Sequence, residues 1–338
     1  MRMMDQNGHC CYIILGLFVG ILGTVCALSV PASTCGGKDV NIILSNQLPG
    51  SRRDFMCRAS GSIAVFSAWS YSSPIAHADQ IKKDVSTRFN EDILFLPPPL
   101  SLPSELNGVD NMYYPSYLNG EWKVTQTLVD MQAPLGMKYI GGPNGSLEIA
   151  EKTMNEARSQ IDLPVQFKLR YLPTKWGVAE DRLYNNQERL NAFAQKSVVA
   201  SVQYADVGGS NRKSVLALGG TQDDPLQTTL VYFKGPAAQK SFVTSHGGGA
   251  EEQKVMSETL WTGYEVQRSI FALTNQNTAP PITTDSEYIW SFERLDDNHI
   301  RGKLRIAAYL NAQSDTLYFD ARNRAVSLQD YTLDMKRI

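Results

Sequence analysis

Tyr288-Ile289-Trp290-Ser291-Phe292, the turn Asp296-Asp297-Asn298, and then Leu304-Arg305-Ile306-Ala307-Ala308-Tyr309-Leu310 decide the fold. Tyr288, Trp290 and Phe292 share one phase. Leu304, Ile306, Ala308 and Leu310 share another, against Lys303, Arg305 and Tyr309. Successive side chains of a strand point to opposite faces, so this alternation means half-buried antiparallel strands joined by a turn. The same pattern recurs outward from there. Trp122, Val124 and Leu128 alternate with Lys123, Thr125 and Thr127, and Phe167, Leu169 and Tyr171 with Lys168 and Arg170. Val198, Ala200, Val202 and Tyr204 share a face, and the chain closes with Tyr331, Leu333 and Met335 against Thr332, Asp334 and Lys336. Turn-forming residues break the runs at 208–211, 223–225 and 311–314. From Gly120 onward, helical spacing is confined to 147–161 and 186–195. Sequential strands with one apolar side curl most readily into a barrel. Residues 113–338 are therefore expected to form a mainly β, antiparallel up-and-down barrel with one or two short helices.

The first 78 residues have a different character. Arg2, an apolar run over 11–28 and small residues around Val30-Pro31-Ala32 make residues 1–32 a secretory signal peptide, cleaved after Ala27 or Ala32. Residues 33–50, rich in Ser, Asn and Gly, suit a plastid transit segment. Residues 51–78 begin Ser51-Arg52-Arg53-Asp54-Phe55-Met56, continue through a weakly apolar run over 63–71 and end Ala76-His77-Ala78. That order is a twin-arginine transfer signal, with Arg52 and Arg53 read by the translocon and Ala76 and Ala78 framing the cleavage site. Two successive signals predict a cleavable bipartite leader and delivery to the thylakoid lumen of an algal plastid. The mature chain then starts near Asp79. Residues 79–112 are expected to be an arm: an amphipathic helix over 79–95, then the extended connector Leu96-Pro97-Pro98-Pro99-Leu100 to Pro103.

Composition narrows the chemistry. All five cysteines (Cys10, Cys11, Cys26, Cys35 and Cys57) lie in the leader, so the mature part has no thiolate for a disulfide, a metal or a nucleophile. It keeps two histidines, His246 and His299, too few for a histidine-rich metal site. The leader holds five Lys/Arg and three Asp/Glu, which leaves 27 basic and 31 acidic residues, a net charge of −4, for the rest. Such a balance without a basic run argues against nucleic-acid binding. No apolar stretch after Ala78 approaches bilayer length.

Two resemblances add to this reading. Asn119-Gly120-Glu121-Trp122 opens the first strand, and G-x-W at that place resembles lipocalins and related calycin barrels. The resemblance implies that Trp122 closes the barrel floor and that an arginine from the last strand covers its ring, the role open to Arg337. A longer match runs through Pro115-Ser116-Tyr117-Leu118-Asn119-Gly120-Glu121-Trp122-Lys123-Val124, Ala133-Pro134-Leu135-Gly136, Gly141-Gly142-Pro143 and Asp181-Arg182-Leu183-Tyr184-Asn185. It ends with Leu317-Tyr318-Phe319-Asp320-Ala321-Arg322 and Tyr331-Thr332-Leu333. These residues resemble a cyanobacterial and plastid family, domain of unknown function 6816. The stretch 236–252 reads as a longer loop than that family has. The resemblance supports the plastid address and implies no mechanism.

No catalytic residue emerges. His246-Gly247-Gly248-Gly249 has the look of an esterase oxyanion loop, but no G-x-S-x-G elbow accompanies it, and a flexible glycine loop is the better reading. The pairs Asp223-Asp224, Asp296-Asp297 and Glu251-Glu252 sit in turns, where aspartate bonds the local backbone. Asn144-Gly145-Ser146 has the form of a glycosylation sequon. Of the strand arginines Arg170, Arg268 and Arg305, any that faced a cavity would attract an anionic group. Arg322 is expected in a turn. Candidate ligand-binding residues are Trp122, Arg170, Arg305 and Tyr309, with Gly120, Trp122 and Arg337 structural. Three functions remain open. One is a non-catalytic barrel holding a small apolar ligand such as a pigment, quinone or lipid, with no cofactor besides. Another is an accessory factor that binds a thylakoid photosynthetic complex through its surface. The least favoured is a barrel enzyme of the isomerase or de-epoxidase type.

Overall fold

The computed structural model describes residues 85–98, 112–174, 177–204, 228–248, 259–274 and 281–338. The whole leader (Arg52, Arg53, Ala76 and Ala78 included), Pro99 to Pro103, the turns at 208–211 and 223–225, Gly249 and Glu251-Glu252 lie outside the described residues.

Among the described residues, ten strands form one antiparallel sheet. In chain order they are β1 Gly120–Gln132, β2 Pro164–Pro173, β3 Val178–Glu180, β4 Val199–Tyr204, β5 Thr229–Phe233, β6 Ala237–Gly248, β7 Leu260–Leu273, β8 Ile282–Arg294, β9 His299–Tyr309 and β10 Ser327–Arg337. Across the sheet the order is β3-β2-β1-β10-β9-β8-β7-β6-β5-β4. That is the cyclic order of an up-and-down barrel, with β1 paired to β10, left open between β3 and β4. The result is a curled half-barrel rather than the closed barrel expected. Its curl brings distant strands together: Trp122 (β1), Phe167 (β2), Trp261 (β7) and Phe292 (β8) belong to one apolar core.

The seam has a local cause. β3 is only three residues long, and the chain then turns into a helix instead of pairing onward. Helix α2, Arg182–Phe193, is capped by Asp181, whose side chain accepts from Tyr184 N. Its side chains serve the two edges in place of a strand. The Asn185 amide accepts from Arg170 N at 2.7 Å and donates to Arg170 O at 3.1 Å, as a neighbouring peptide would. Asn191 Oδ1 accepts from Val198 N and Val199 N, and Asn186 reaches Thr229 on β5. The helix thus starts four residues earlier than its apolar spacing suggests, because Asp181 supplies the cap.

Helix α1, Leu147–Arg158, ends before the expected Ile161. Ser146 Oγ caps it by accepting from Ile149 N. Ala150 and Met154 pack with Met131, Tyr139, Ile140, Ala321 and Val326 beneath one end of the sheet. A four-residue helix, α3 Tyr318–Ala321, lies in the β9–β10 connection, and Arg322 ends it in the left-handed region. Arg322 therefore belongs to the turn expected of it.

Residues 85–98 cross the convex face. Of the helix expected over 79–95, the described part forms only a 3-10 turn, Val85–Phe89. Val85 and Leu94 are buried against Tyr264, Val266, Ile289, Ala307, Tyr309 and Leu328. Backbone bonds from Leu96 N to Asn323 O and from Ala325 N to Leu94 O fasten the arm.

Two further expectations are corrected. The stretch 236–252 is not a loop at its start, since Ala237–Gly248 is strand β6, and His246 and Gly247 lie in its ladder with β7. Gly247 answers a packing need, because a Cβ there would meet the Tyr264 ring at 2.3 Å. On β4 a bulge between Val199 and Ser201 shifts the phase, so Val199, buried at 4%, joins Val202 and Tyr204 on one face while Ala200 is exposed.

Candidate functional site

Residues opposite each other in an antiparallel ladder share a face. The registers therefore read the concave wall tier by tier. Trp122 and Leu169, then Val124, Phe167, Met335 and Ile300, begin at one end. The next tier is Trp261, Phe292, Gly302, Leu333 and Gln126, followed by Gly263, Trp290, Leu304, Tyr331 and Leu128. These tiers are filled. The Trp261 ring stacks on Phe292 at 5.6 Å, and Tyr114 lies 5.0 Å from Trp261.

The closed end is sealed by Arg337. Its guanidinium carbon sits 4.4 Å over the Trp122 ring, and its nitrogens donate to the carbonyls of Tyr117, Asn119 and Asp297. Gly120 has φ +121°, and a Cβ there would lie 2.7 Å from Arg337 Nη1. Glycine is thus required twice over, by conformation and by space. Outside this end is an open groove of about 540 Å³ lined by Asp296, Asp297, Asn298, His299, Lys336 and Arg337.

Toward the other end the wall turns polar. His246, Glu265, Tyr288, Ile306 and Gln329 form one tier. Val243, Gln267, Ser286, Ala308 and Ser327 form the next, and Tyr204, Thr229, Ser241, Ser269 and Thr284 the one beyond. The last described tier is Val202, Val231, Gln239, Phe271 and Ile282. Here Tyr204, Gln239, Gln267, Phe271 and Thr284 are only half-buried, whereas Trp122, Phe167, Trp261 and Phe292 of the closed end are buried. The half-barrel thus has an apolar floor and a more open wall of neutral hydroxyls and amides.

Between floor and wall lies an ion pair. Arg182 grips Glu265 through two bonds, of 2.9 and 2.6 Å, and Gln267 Nε2 donates to the same carboxylate at 2.5 Å. Burial pushes the Glu265 carboxyl up, but Arg182, Gln267 and the nearby His246 outweigh it and hold it below the ordinary value. Beside it, Arg189 and Asn185 both bond Glu180. The segment Asp181–Asn185 therefore supplies a helix cap, an ion-pair partner and a peptide mimic.

Of the four candidate ligand-binding residues, only Trp122 faces the concave side. Arg170 lies on the opposite phase of β2, bonded to Asp181 and 4.3 Å over the Tyr184 ring. Arg305 and Tyr309 lie on the convex face under the arm. Arg305 pairs with Asp330 and donates to the carbonyls of Arg88 and Glu91, while Tyr309 donates to Glu287 at 2.6 Å. Arg268 is also convex, held by Asp285. A carboxylate beside a phenol does occur, at Glu287 and Tyr309, but the Glu287 side chain is 0% exposed beneath Arg88. Among the described residues no group of three or more His, Cys, Asp or Glu could hold a metal ion, and no helix is long and apolar enough to cross a membrane.

Sequence reasoning missed Glu265, Ser286 and Ser327. A signal existed for Ser286, which stands in phase with Tyr288, Trp290 and Phe292 and so had to face the same side. β7 gave none: Trp261 faces the core while Tyr264 and Val266, on the other phase, are buried by the arm. A strand apolar on both faces shows no alternation.

No curated protein matches the chain. The segments that carry the tiers, the Arg337–Trp122 lock and the Asp181 cap all fall within residues 107–338, which match the family model described as a domain of unknown function (DUF6816). The chain belongs to that family.

Proposed function

We propose that the mature chain is a non-catalytic binding protein of the plastid thylakoid lumen that holds a small, largely apolar molecule against the concave wall in a calycin-like manner. The observation that carries this reading is the gradient along that wall, from an aromatic floor closed by Trp122 and Arg337 to half-buried Gln239, Gln267, Phe271 and Thr284. Binding sites for small molecules combine apolar walls with a few convergent polar groups. Against catalysis, Glu265 is neutralised by two arginine bonds, and Glu287 lies under the arm.

The test is to purify residues 79–338 after incubation with thylakoid extract and to identify co-purified small molecules by mass spectrometry. One neutral apolar compound near equimolar amount is expected. Recovery of protein partners without any small molecule would favour the second reading, an accessory factor for a thylakoid complex. One observation speaks for that alternative. Phe319 is 82% exposed and Phe95 57% exposed, both beside the Arg322–Arg324 turn.

A further inference from the structure

Three buried side-chain atoms lack a hydrogen-bond partner among the described residues: Trp261 Nε1, Ser286 Oγ and Ser327 Oγ. Trp261 stands singly in the aromatic floor. The two serines form a pair, because Ser286 on β8 and Ser327 on β10 both oppose Ala308 on β9. All three residues therefore face the concave side in one tier, with Ser286 3%, Ala308 9% and Ser327 1% exposed. Two strand spacings set the serines about 10 Å apart. Between them on the ladder lies Ala308, whose side chain is a single methyl group. Tyr288, Ile306 and Gln329 border this dip on one side. Ser269 and Thr284, the next tier of β7 and β8, border it on the other.

Buried polar groups are nearly always bonded, and orphan donors are rarer than under-used acceptors. Two orphan hydroxyls around one small side chain need an acceptor brought from outside. The tier also settles its charge. Gln267, Ser286, Ser327, Ser269 and Thr284 are neutral, and the adjacent Arg182 and Glu265 satisfy each other. An ionised group placed here would lose its hydration and find no free counter-charge.

Resting on the proposed binding function, we infer that the Ser286–Ala308–Ser327 dip is the seat for the polar end of the ligand, and that this end is a neutral oxygen acceptor of the ketone or ester class. The ligand's apolar body then lies along the neighbouring Tyr288–Ile306 and Trp290–Leu304 tiers.

Three matched probes test this on the protein: 2-decanone, decanoate and decylamine, titrated by calorimetry and followed by tryptophan fluorescence. We expect 2-decanone to bind at least about tenfold more tightly than either charged probe, as the loss of a hydrogen bond with one unpaired partner predicts. Ser286→Ala and Ser327→Ala should each weaken it about five- to tenfold, while thermal stability stays level or rises, because an orphan hydroxyl contributes nothing to the unliganded fold. Ala308→Val, which fills the dip, should abolish saturable binding and leave the circular dichroism spectrum intact. Equal affinity of the serine variants and the parent, preference for a charged probe, or no saturable binding of 2-decanone would each overturn the inference. If the extract experiment yields a small molecule that both serine variants retain, the binding function stands and this seat falls. If it yields none, both fall.

Discussion

Glu265 and Glu287 are buried carboxylates on adjacent strands, yet they behave in opposite ways. Glu265 faces the concave side and meets Arg182 from helix α2, whereas Glu287 faces the convex side and meets Arg88 from the arm. Each is gripped by a two-toothed arginine and a third donor, Gln267 in one case and Tyr309 in the other. Burial pushes both carboxyls up. For Glu265 the donors and His246 prevail. For Glu287 burial and the neighbouring Glu91 leave the group above its ordinary value despite Arg88. Similar first contacts thus give opposite directions: at Glu265 the arginine and its fellow donors outweigh burial, and at Glu287 burial outweighs them. The concave pair ties the helix to the sheet across the open seam and must stay ionised. The convex pair ties down an arm and can surrender its charge.

Removing one arginine at a time should break the comparison most sharply. Arg182→Ala leaves the burial of Glu265 unopposed by its arginine and should cost about 3–5 kcal/mol in denaturant unfolding. Arg88→Ala should cost less, because Glu287 can take up a proton, and its deficit should shrink as the pH is lowered. Equal losses that do not depend on pH would refute the distinction. Gly247→Ala comes next. It drives a methyl group into Tyr264, the ring beneath Arg88, and should cost about 1–3 kcal/mol by overpacking.

The pH dependence sharpens the comparison further. Glu265, held below 4.5, contributes stability that is present above that value and lost as pH falls through its folded pKa. Glu287, pushed above 4.5, contributes stability that is present below that value and lost as pH rises through its folded pKa. Stability curves should therefore show Glu265→Gln converging on the parent in acid, and Glu287→Gln gaining on the parent as pH rises. Slopes of the same sign would contradict the assigned directions. The smallest effect is expected far from both carboxylates. Arg337→Ala, at an exposed rim, should cost about 1 kcal/mol through the lost ring contact and carbonyl bonds.

Much of the fold was legible before any coordinates. β1, β2, β8, β9 and β10 each carry one apolar and one polar phase, and all five form as read. The failures share a cause. β7 is buried on both sides for part of its length, by the core within and the arm without, and β6 has buried residues of both phases, so their residues do not alternate. The open seam was illegible because it depends on Asn185 and Asn191 acting as stand-ins for strand backbone. An asparagine read in sequence is simply a polar residue.

Alternation is a local property, two residues long. Alone, then, the chain determined that it would build an antiparallel sheet with Tyr288, Trp290, Phe292, Leu304 and Ile306 on one face. Which face an arginine or tyrosine shares, and with whom, is a property of register and curl. Only the tertiary structure decided that Arg305 and Tyr309 lie under the arm, that Glu265 meets a helix 83 positions away, and that two serines from different strands flank one alanine.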